Sequence, residues 1–376
     1  MTTQTVQTKA PSGAPTIAPG SHGLGRYARK SISRTALRMY IRGLSAWTPL
    51  ENPVDGYTVI IGCAHRLASM LWANLEFLCR LDLTGCDKIL CVVDCTQAER
   101  PAGFEERARE IARETPLEFV YYSQAQADRA RRVDWGWVYS WLSWTLGIAR
   151  TRTRYAMLHD FDALLLRPGL LRERADAIKS RGVEYLGIDW YSGLGVIESD
   201  RLVRTFEMMF DAAFVRERFQ AIDLFNRMGR RGDRRVEFDT FLHAETRAGT
   251  RDVLPMEESE LVHPSQMICQ YVDHRAGRFV PGNNNLFMIP YYNFIGGSPA
   301  ELHELVPAIE KGETVVPLWG RSVDLSKMKP IHALWMVHMA ERLERALGRE
   351  GDAMDDHVRR YFHGLKRIVD QNGVRS

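Results

Sequence analysis

The chain contains 376 residues, of which 45% are hydrophobic and 26% are charged, enough for one large or two modest hydrophobic cores. Its 50 basic and 47 acidic residues nearly cancel, which argues against nucleic acid as the main partner. No apolar run reaches the roughly 18 residues of a membrane span. The six cysteines form no Cys-x-x-Cys pair, so we expect neither a zinc site nor a disulfide framework, and reduced thiols fit a cytoplasmic protein.

The N-terminal region divides into two parts. Residues 1–25 are rich in Thr, Pro, Gly and Ala and predict a disordered tail. Residues 26–50 predict a basic amphipathic helix with six cations among apolar positions: Arg26, Arg29, Lys30, Arg34, Arg38 and Arg42. Two interpretations stay open. The helix rests on an anionic membrane surface, at the inner face of the membrane, or it packs on the core with its arginines in water.

Strands and helices alternate along the next part of the chain. Runs rich in β-branched and apolar residues at 57–65, 88–96, 117–123 and 155–166 predict buried strands. Helical patterns occur at 66–81, 104–115 and 134–149, and the last carries Trp137, Trp141 and Trp144 on one face, where core packing is expected. This alternation predicts an α/β fold with a mostly parallel central sheet flanked by helices.

Carboxylates close two of the predicted strands. Asp94 ends the second strand, and Asp160 and Asp162 end the strand in "YAMLHDFDALLLRPG". Ligands of parallel sheets bind beyond the carboxyl ends of the strands, so we expect these acids on one edge of the sheet. Two carboxylates on a strand-end turn are suited to Mg²⁺ or Mn²⁺ that also contacts substrate phosphates.

The second half of the sequence has a looser pattern. Residues 183–202 predict a strand pair around Gly193 and Gly195, and residues 235–255 predict a helix that ends near Gly249 and leads to a strand. His263 stands before a proline in "ELVHPSQMI". Beyond residue 270 come Pro- and Gly-rich loops, followed by helices at 300–310 and 330–370.

In order along residues 57–265, the sequence resembles a GT-A glycosyltransferase of the inverting family 2 type. The segments that carry the resemblance are "TVIIGCAHRLASMLWANLEFL", "KILCVVDCTQAE", "YAMLHDFDALLLRPG", "EFDTFLHAETRAGTRDVLP" and "LVHPSQ". The resemblance implies a GT-A domain at 51–270, with a C-terminal loop and helical extension at 271–376 packed on it. It also implies a nucleotide-sugar donor (a UDP- or GDP-sugar), an unidentified acceptor and Mn²⁺ or Mg²⁺.

The resemblance assigns roles residue by residue. Asp94 and Asp160 would bind the nucleotide, and Asp160, Asp162 and His263 would hold the metal. Asp239 matches the second residue of the family's Glu-Asp pair and would be the general base, with its pKa kept low by a helix N-terminus. Asp94 as a simple turn cap and His263 as a surface histidine remain open alternatives.

Four further residues are weaker candidates. His65 and Arg66, after the first strand, could approach the nucleotide diphosphate. Trp190 and Tyr191 could form a sugar-stacking wall, although burial accounts for them equally well. Glu237 is a candidate acceptor contact and the nearest rival base, against the alternative of a solvated helix residue.

The departures from the family define the alternatives. The Glu-Asp pair reads Phe238-Asp239 here, and the Gln-x-x-Arg-Trp motif of processive members is absent, which implies a discrete acceptor. A haloacid-dehalogenase-type phosphatase also uses Asp-x-Asp after a strand, but Leu164 stands where that family has Thr or Val. A nucleotidyltransferase would need a Gly-rich loop that "IGCAHRLA" lacks. The third alternative is a non-catalytic nucleotide-binding module.

Overall fold

The computed structural model describes residues 22–278 and 284–373. The predicted tail therefore lies outside the described residues except for its last four positions. Helix α1 (Leu24–Ile41) begins within those positions and ends well before residue 50. The shorter helix has a local cause, because Gly43, a poor helix former, follows its end.

The remaining elements alternate along the chain. The strands are β1 (Val54–Cys63), β2 (Cys86–Val93), β3 (Leu117–Tyr121), β4 (Thr153–Asp160), β5 (Leu164–Leu165), β6 (Tyr185–Gly187), β7 (Met208–Asp211), β8 (Arg227–Arg231), β9 (Arg234–Phe238), β10 (Arg251–Val253), β11 (Leu261–Val262), β12 (Val315–Leu318) and β13 (Arg321–Asp324). The helices after α1 are α2 (Ala68–Leu78), α3 (Phe104–Ala112), α4 (Gln124–Val133), α5 (Gly136–Arg150), α6 (Leu170–Arg181), α7 (Ala212–Arg218), α8 (Leu242–Arg247), α9 (Met267–Arg275), α10 (Ile289–Ile295), α11 (Ala300–Glu310), α12 (Pro330–Ala346) and α13 (Asp356–Gly373).

Seven strands form the central sheet, in the order β10-β6-β7-β4-β1-β2-β3. Strand β7 runs antiparallel to both of its neighbours, β4 and β6, and the other strand pairs are parallel. The expected α/β fold with a mostly parallel sheet flanked by helices is confirmed. Among the described helices, none has the length and apolar character needed to cross a membrane.

The two faces of the sheet bury different apolar layers. Along β1, Val59 and Ile61 point into a layer that continues through α2, α3 and the C-terminal helices. Ile60 points into the opposite layer, which contains α5 and its buried Trp141 and Trp144. Trp141 and Trp144 are therefore in the core, as expected, whereas Trp137 is only partly buried and packs against this layer.

Three segments differ from their sequence-based predictions. Instead of a strand pair, residues 183–202 contain one short strand and the isolated bridge Gly193–Val196, and Trp190 forms a second bridge with Val203, just beyond this range. The segment at 235–255 starts as strand β9, and its helix begins only at Leu242. The helical stretch at 330–370 is broken between α12 and α13, where Gly348 adopts a φ of 76°.

Candidate functional site

The acids that close β2 and β4 lie at the same edge of the sheet, on either side of β1. Asp160, the last residue of β4, is paired with Gly62 of β1. Asp94 follows Val93, which is paired with Cys63, and its backbone N–H donates to the Cys63 carbonyl at 3.1 Å. This juxtaposition is the one expected from the parallel register.

His263 reaches the Asp-x-Asp turn through a short antiparallel pairing. Leu164 and Leu165 of β5 pair with Val262 and Leu261 of β11, so the residue after β11 lies beside the turn. His263 Nε2 lies 3.6 Å from Asp162 Oδ1 and 3.9 Å from Asp160 Oδ2. One ligand atom from each of the three residues lies within 4.8 Å of the others.

The charges in this cluster perturb one another. Burial and the neighbouring Asp162 carboxylate raise the pKa of Asp160 to about 7. Burial alone would lower the pKa of His263, but the Asp162 carboxylate overcomes it, and the pKa is raised. Crowded carboxylates facing an imidazole form a donor set that a divalent cation would stabilise.

A buried polar network supports the turn from behind. Asn74 of α2 donates from Nδ2 to the Ala163 carbonyl at 2.7 Å and to the Phe161 carbonyl at 3.2 Å. The same amide nitrogen lies 2.9 Å from His159 Nε2. From the C-terminal extension, the Tyr292 hydroxyl donates to the Asp162 carbonyl at 3.1 Å. The backbone of the turn is thus held by two separate helices.

One segment contacts both histidines of this region. Glu207 Oε1 lies 2.6 Å from His159 Nδ1, with both side chains buried. The neighbouring Phe206 ring packs on His263 with 4.4 Å between ring centroids. Buried Arg174 donates from Nη2 to the Glu207 carbonyl at 3.2 Å, which fixes the backbone of this segment.

The predicted nucleotide contacts Asp94 and His65 lie together. Asp94 Oδ1 accepts a hydrogen bond from the His65 backbone N–H at 2.8 Å and lies 2.6 Å from His65 Nδ1. Asp94 therefore does cap the turn after β1, which was the alternative to nucleoside binding. Both side chains remain about one-fifth exposed, so the cap does not remove them from solvent. Arg66 follows in the same turn.

Asp239 lies in the loop between β9 and α8, so the prediction that it begins a helix is wrong. Its Oδ1 accepts hydrogen bonds from Thr240 N at 2.7 Å and Asn226 Nδ2 at 3.0 Å. Burial raises the pKa of Asp239, contrary to the low value expected from a helix N-terminus. Burial raises the pKa of the nearby Cys269 thiol, and the carboxylates of Asp162, Asp273 and Asp239 add to this effect.

Glu237 is neither on a helix nor solvated. It lies on β9 with its side chain fully buried, and its carboxylate accepts hydrogen bonds from Lys30 and from Arg34 Nε at 2.8 Å. Burial opposes ionisation, but these two cations lower the pKa of Glu237. Both carboxylate oxygens are already paired with cations of helix α1, and this argues against Glu237 as the base or as an acceptor contact.

Trp190 and Tyr191 are partly buried, each in a different contact. The Arg201 guanidinium lies 5.2 Å from the Trp190 ring centroid, so the ring already has a cation–π contact within the protein. Burial raises the pKa of Tyr191, and the nearby charges include Asp239 and Glu237.

Sequence reasoning missed Asn74, His159, Glu207 and Arg174. Asn74, His159 and Glu207 are polar residues inside apolar segments, and such residues need buried partners. That pattern could have identified these three as a group, although not their pairing. Arg174 stands in the charged sequence of α6, "LLRERADAIKSR", which gives no such signal. A groove of about 660 Å³ runs along the edge strand β3, and none of the predicted site residues lines it.

Comparisons with known proteins find similarity only to solved structures. No protein-family model and no curated protein matches the chain. TarS residues 1–349 from S. aureus is 10% identical, with 85% of this chain and 92% of that chain covered and a TM-score of 0.38. The same protein in complex with UDP is 11% identical over the same shares, with a TM-score of 0.37.

A 4-diphosphocytidyl-2C-methyl-D-erythritol synthase from Anaerococcus prevotii is 12% identical, with 59% of this chain and 96% of that chain covered and a TM-score of 0.34. These values describe a distant likeness in architecture.

Proposed function

We propose that the protein is a metal-dependent glycosyltransferase that moves a sugar from a nucleotide-diphosphate donor to a discrete acceptor. The observation that carries this proposal is the convergence of Asp160, Asp162 and His263 at the carboxyl edge of the sheet. Two carboxylates and an imidazole suit Mn²⁺ or Mg²⁺, and the imidazole favours Mn²⁺. When bound, the cation would neutralise negative charge on a diphosphate leaving group.

We propose roles for the remaining residues as well. Asp94 binds the nucleoside, while His65 and Arg66, in the same turn, orient the diphosphate. Asp239 accepts the proton of the acceptor hydroxyl, since its Oδ1 is held in place by Asn226 and Thr240. Tyr191, which packs against the apolar cluster that contains Phe238, contributes to the wall of the acceptor or sugar pocket together with Trp190.

A thermal-shift screen of nucleotide sugars with and without Mn²⁺ tests the proposal, with UDP- and GDP-sugars first. A ligand that binds only the folded state raises its stability by RT ln(1 + [L]/Kd), so a donor at about 100 times its Kd adds about 2.7 kcal/mol. Asp162→Asn should abolish the Mn²⁺-dependent part of the shift. The control Asp176→Asn, at an exposed position of α6, should retain it.

The outcomes separate the alternatives. His263→Ala should weaken the response to Mn²⁺ more than the response to Mg²⁺, because imidazole is the softer ligand. Nucleotide binding that is unaffected by Asp162→Asn would contradict the metal assignment. Steady hydrolysis of a phosphate monoester without any sugar donor would indicate the phosphatase alternative. Donor binding with no turnover on any acceptor would indicate a binding module.

A further inference from the structure

Helix α1 turns much of its basic side toward the protein. Lys30 and Arg34 pair with the buried Glu237, and Arg38 Nη1 donates to the Phe225 carbonyl at 2.8 Å. The Arg34 guanidinium also lies 4.0 Å from the Trp135 ring centroid. These cations attach α1 to the rest of the protein. In an ordinary amphipathic surface helix the apolar residues would make this contact and the cations would face solvent.

An apolar stripe remains on the outside of α1. Leu24, Ala28, Ile32 and Met39, which we call the outer stripe, fall within an arc of about 80° at 100° per residue. Leu24, Ile32 and Met39 are 66%, 73% and 63% exposed. Four of the eight large hydrophobic side chains that are strongly exposed among the described residues lie on this one helix. Such a concentration marks an interaction surface.

The surroundings of the outer stripe are basic. Arg29 is exposed on the same helix and Arg42 is exposed directly after it, both near the stripe, while exposed Arg26 lies about 160° from the centre of the stripe. Residues 22–50 contain no Asp or Glu. At the C-terminal end of α1, Arg129 donates to the Tyr40 carbonyl and Arg132 to the Tyr40 hydroxyl, each at 3.2 Å. The partner of this surface therefore needs to combine apolar groups with negative charge.

We propose that α1 docks on an anionic lipid surface, with the outer stripe in the boundary between headgroups and acyl chains and with Arg29 and Arg42 on lipid phosphates. The stripe lies along one convex helix of 18 residues, about 27 Å long, which fits a plane better than a pocket. A second copy of the chain is a poorer partner, because a symmetric pairing through the stripe would bring the flanking arginines of both copies together. This proposal does not depend on the glycosyltransferase function.

Co-sedimentation of the full chain with vesicles tests the proposal. Vesicles of phosphatidylglycerol and phosphatidylcholine should bind the protein, vesicles of phosphatidylcholine alone should bind it much less, and salt should weaken the binding. The double variant Ile32→Ser/Met39→Ser should reduce the vesicle affinity at least about tenfold. Arg29→Glu should reduce it more than about fivefold, since it reverses a charge near the surface.

A matched control separates docking from a general loss of apolar surface. Val315→Ser/Ile331→Ser removes two side chains that are 50% and 42% exposed on the C-terminal extension, and it should bind as the native chain does. All variants should keep the native unfolding midpoint, because the substituted side chains are exposed.

Three results would overturn the proposal. The first is equal binding to neutral and anionic vesicles, or to neither. The second is a stripe variant that binds anionic vesicles as tightly as the native chain. The third is a dimer in solution that dissociates in Ile32→Ser/Met39→Ser, which would assign the outer stripe to a second copy.

Discussion

His159 Nδ1 lies 2.6 Å from Glu207 Oε1, and both side chains are buried behind the turn that carries Asp160 and Asp162. With Nδ1 donating to the carboxylate, His159 Nε2 accepts from Asn74, which also holds the Ala163 carbonyl. The carboxylate, imidazole and amide thus form a chain of hydrogen bonds that ends on the backbone of the candidate metal site. Partners of this kind orient metal ligands without touching the metal.

Asn74→Ala should lower the affinity for Mn²⁺ about 10- to 100-fold, because the turn carbonyls lose their donor and the carboxylates lose their fixed direction. Calorimetric titration with the metal alone measures this effect. Asn372→Ala, which removes a surface hydrogen bond within α13, is the control. If Asn74→Ala lowers the unfolding midpoint but leaves Mn²⁺ affinity unchanged, Asn74 supports only the fold.

Asp239→Asn should lower kcat about 10²- to 10⁴-fold while the Kd of the donor barely changes. Because burial raises the pKa of Asp239, the base becomes protonated, and kcat/KM falls, at a higher pH than for an ordinary aspartate. A pH–rate profile measures that acid limb. The control Asp233→Asn, at the exposed tip of the β8–β9 hairpin, should keep the same acid limb. Near-normal turnover by Asp239→Asn would show that Asp239 is not the general base.

Replacing both Lys30 and Arg34 with Met should destabilise the protein by about 3–5 kcal/mol, because Glu237 would remain buried without a partner. Adding Glu237→Gln to that variant should restore part of the loss. The pKa of Glu237 is lowered in the folded state, so its contribution is present above its ordinary value of 4.5 and is lost as the pH falls through the folded value. Urea unfolding at several pH values measures both effects, and additive losses in the triple variant would argue against the ion pair.

Glu245 has the opposite pH dependence. Burial raises the pKa of this carboxyl group, which accepts from the Val203 N–H at 2.7 Å, to about 8. The folded state therefore binds the proton more tightly, and stability falls between pH 4.5 and 8 by up to about 1.4 kcal/mol per pH unit. Glu245→Gln should remove this slope and should exceed the native chain in stability at pH 8. Parallel stability curves for the two proteins would contradict the shift.

Gly296→Ala should destabilise the attachment of the C-terminal extension. An added Cβ at Gly296 would lie 2.0 Å from the Ser69 carbonyl oxygen of α2, so the backbones of α10 and α2 would have to separate. A forced contact of this kind costs about 1–3 kcal/mol. Gly348→Ser offers a comparison, since an added Cβ meets no atom within 4 Å there and only its φ of 76° is unfavourable. A Gly296→Ala protein of native stability would show that the helix contact can relax.

The sequence predicted the parts of the site that depend on strand register. Asp94 and Asp160 meet because parallel strands end at one edge, and this follows from the order of strands and helices alone. The position of Asp239 was only partly predicted. The local sequence does not indicate that β9 continues to Phe238 or that helix α8 begins only at Leu242. The predicted direction of the Asp239 pKa shift was therefore wrong, since burial raises this pKa.

The residues that the sequence could not place are those whose partners are distant along the chain. Glu237 forms ion pairs with residues about 200 positions earlier. Glu207, directly before β7, contacts His159 of the neighbouring strand β4, 48 positions earlier. Periodicity reports which face of an element is buried, but it carries no information about which buried polar group meets which. The orientation of α1, with cations toward the rest of the protein and apolar residues exposed, could not be predicted either, because it depends on the distant residue Glu237.

The pairing of Lys30 with Glu237 joins residues 207 positions apart, so it also sets an order of events on the ribosome. At ordinary translation speeds, roughly 10 to 40 s separate the synthesis of the two residues. During that interval Lys30 and Arg34 lack Glu237, the carboxylate with which they pair in the folded protein. Attachment of α1 to the body is thus a late step in the folding of this protein, completed only after β9 has been made.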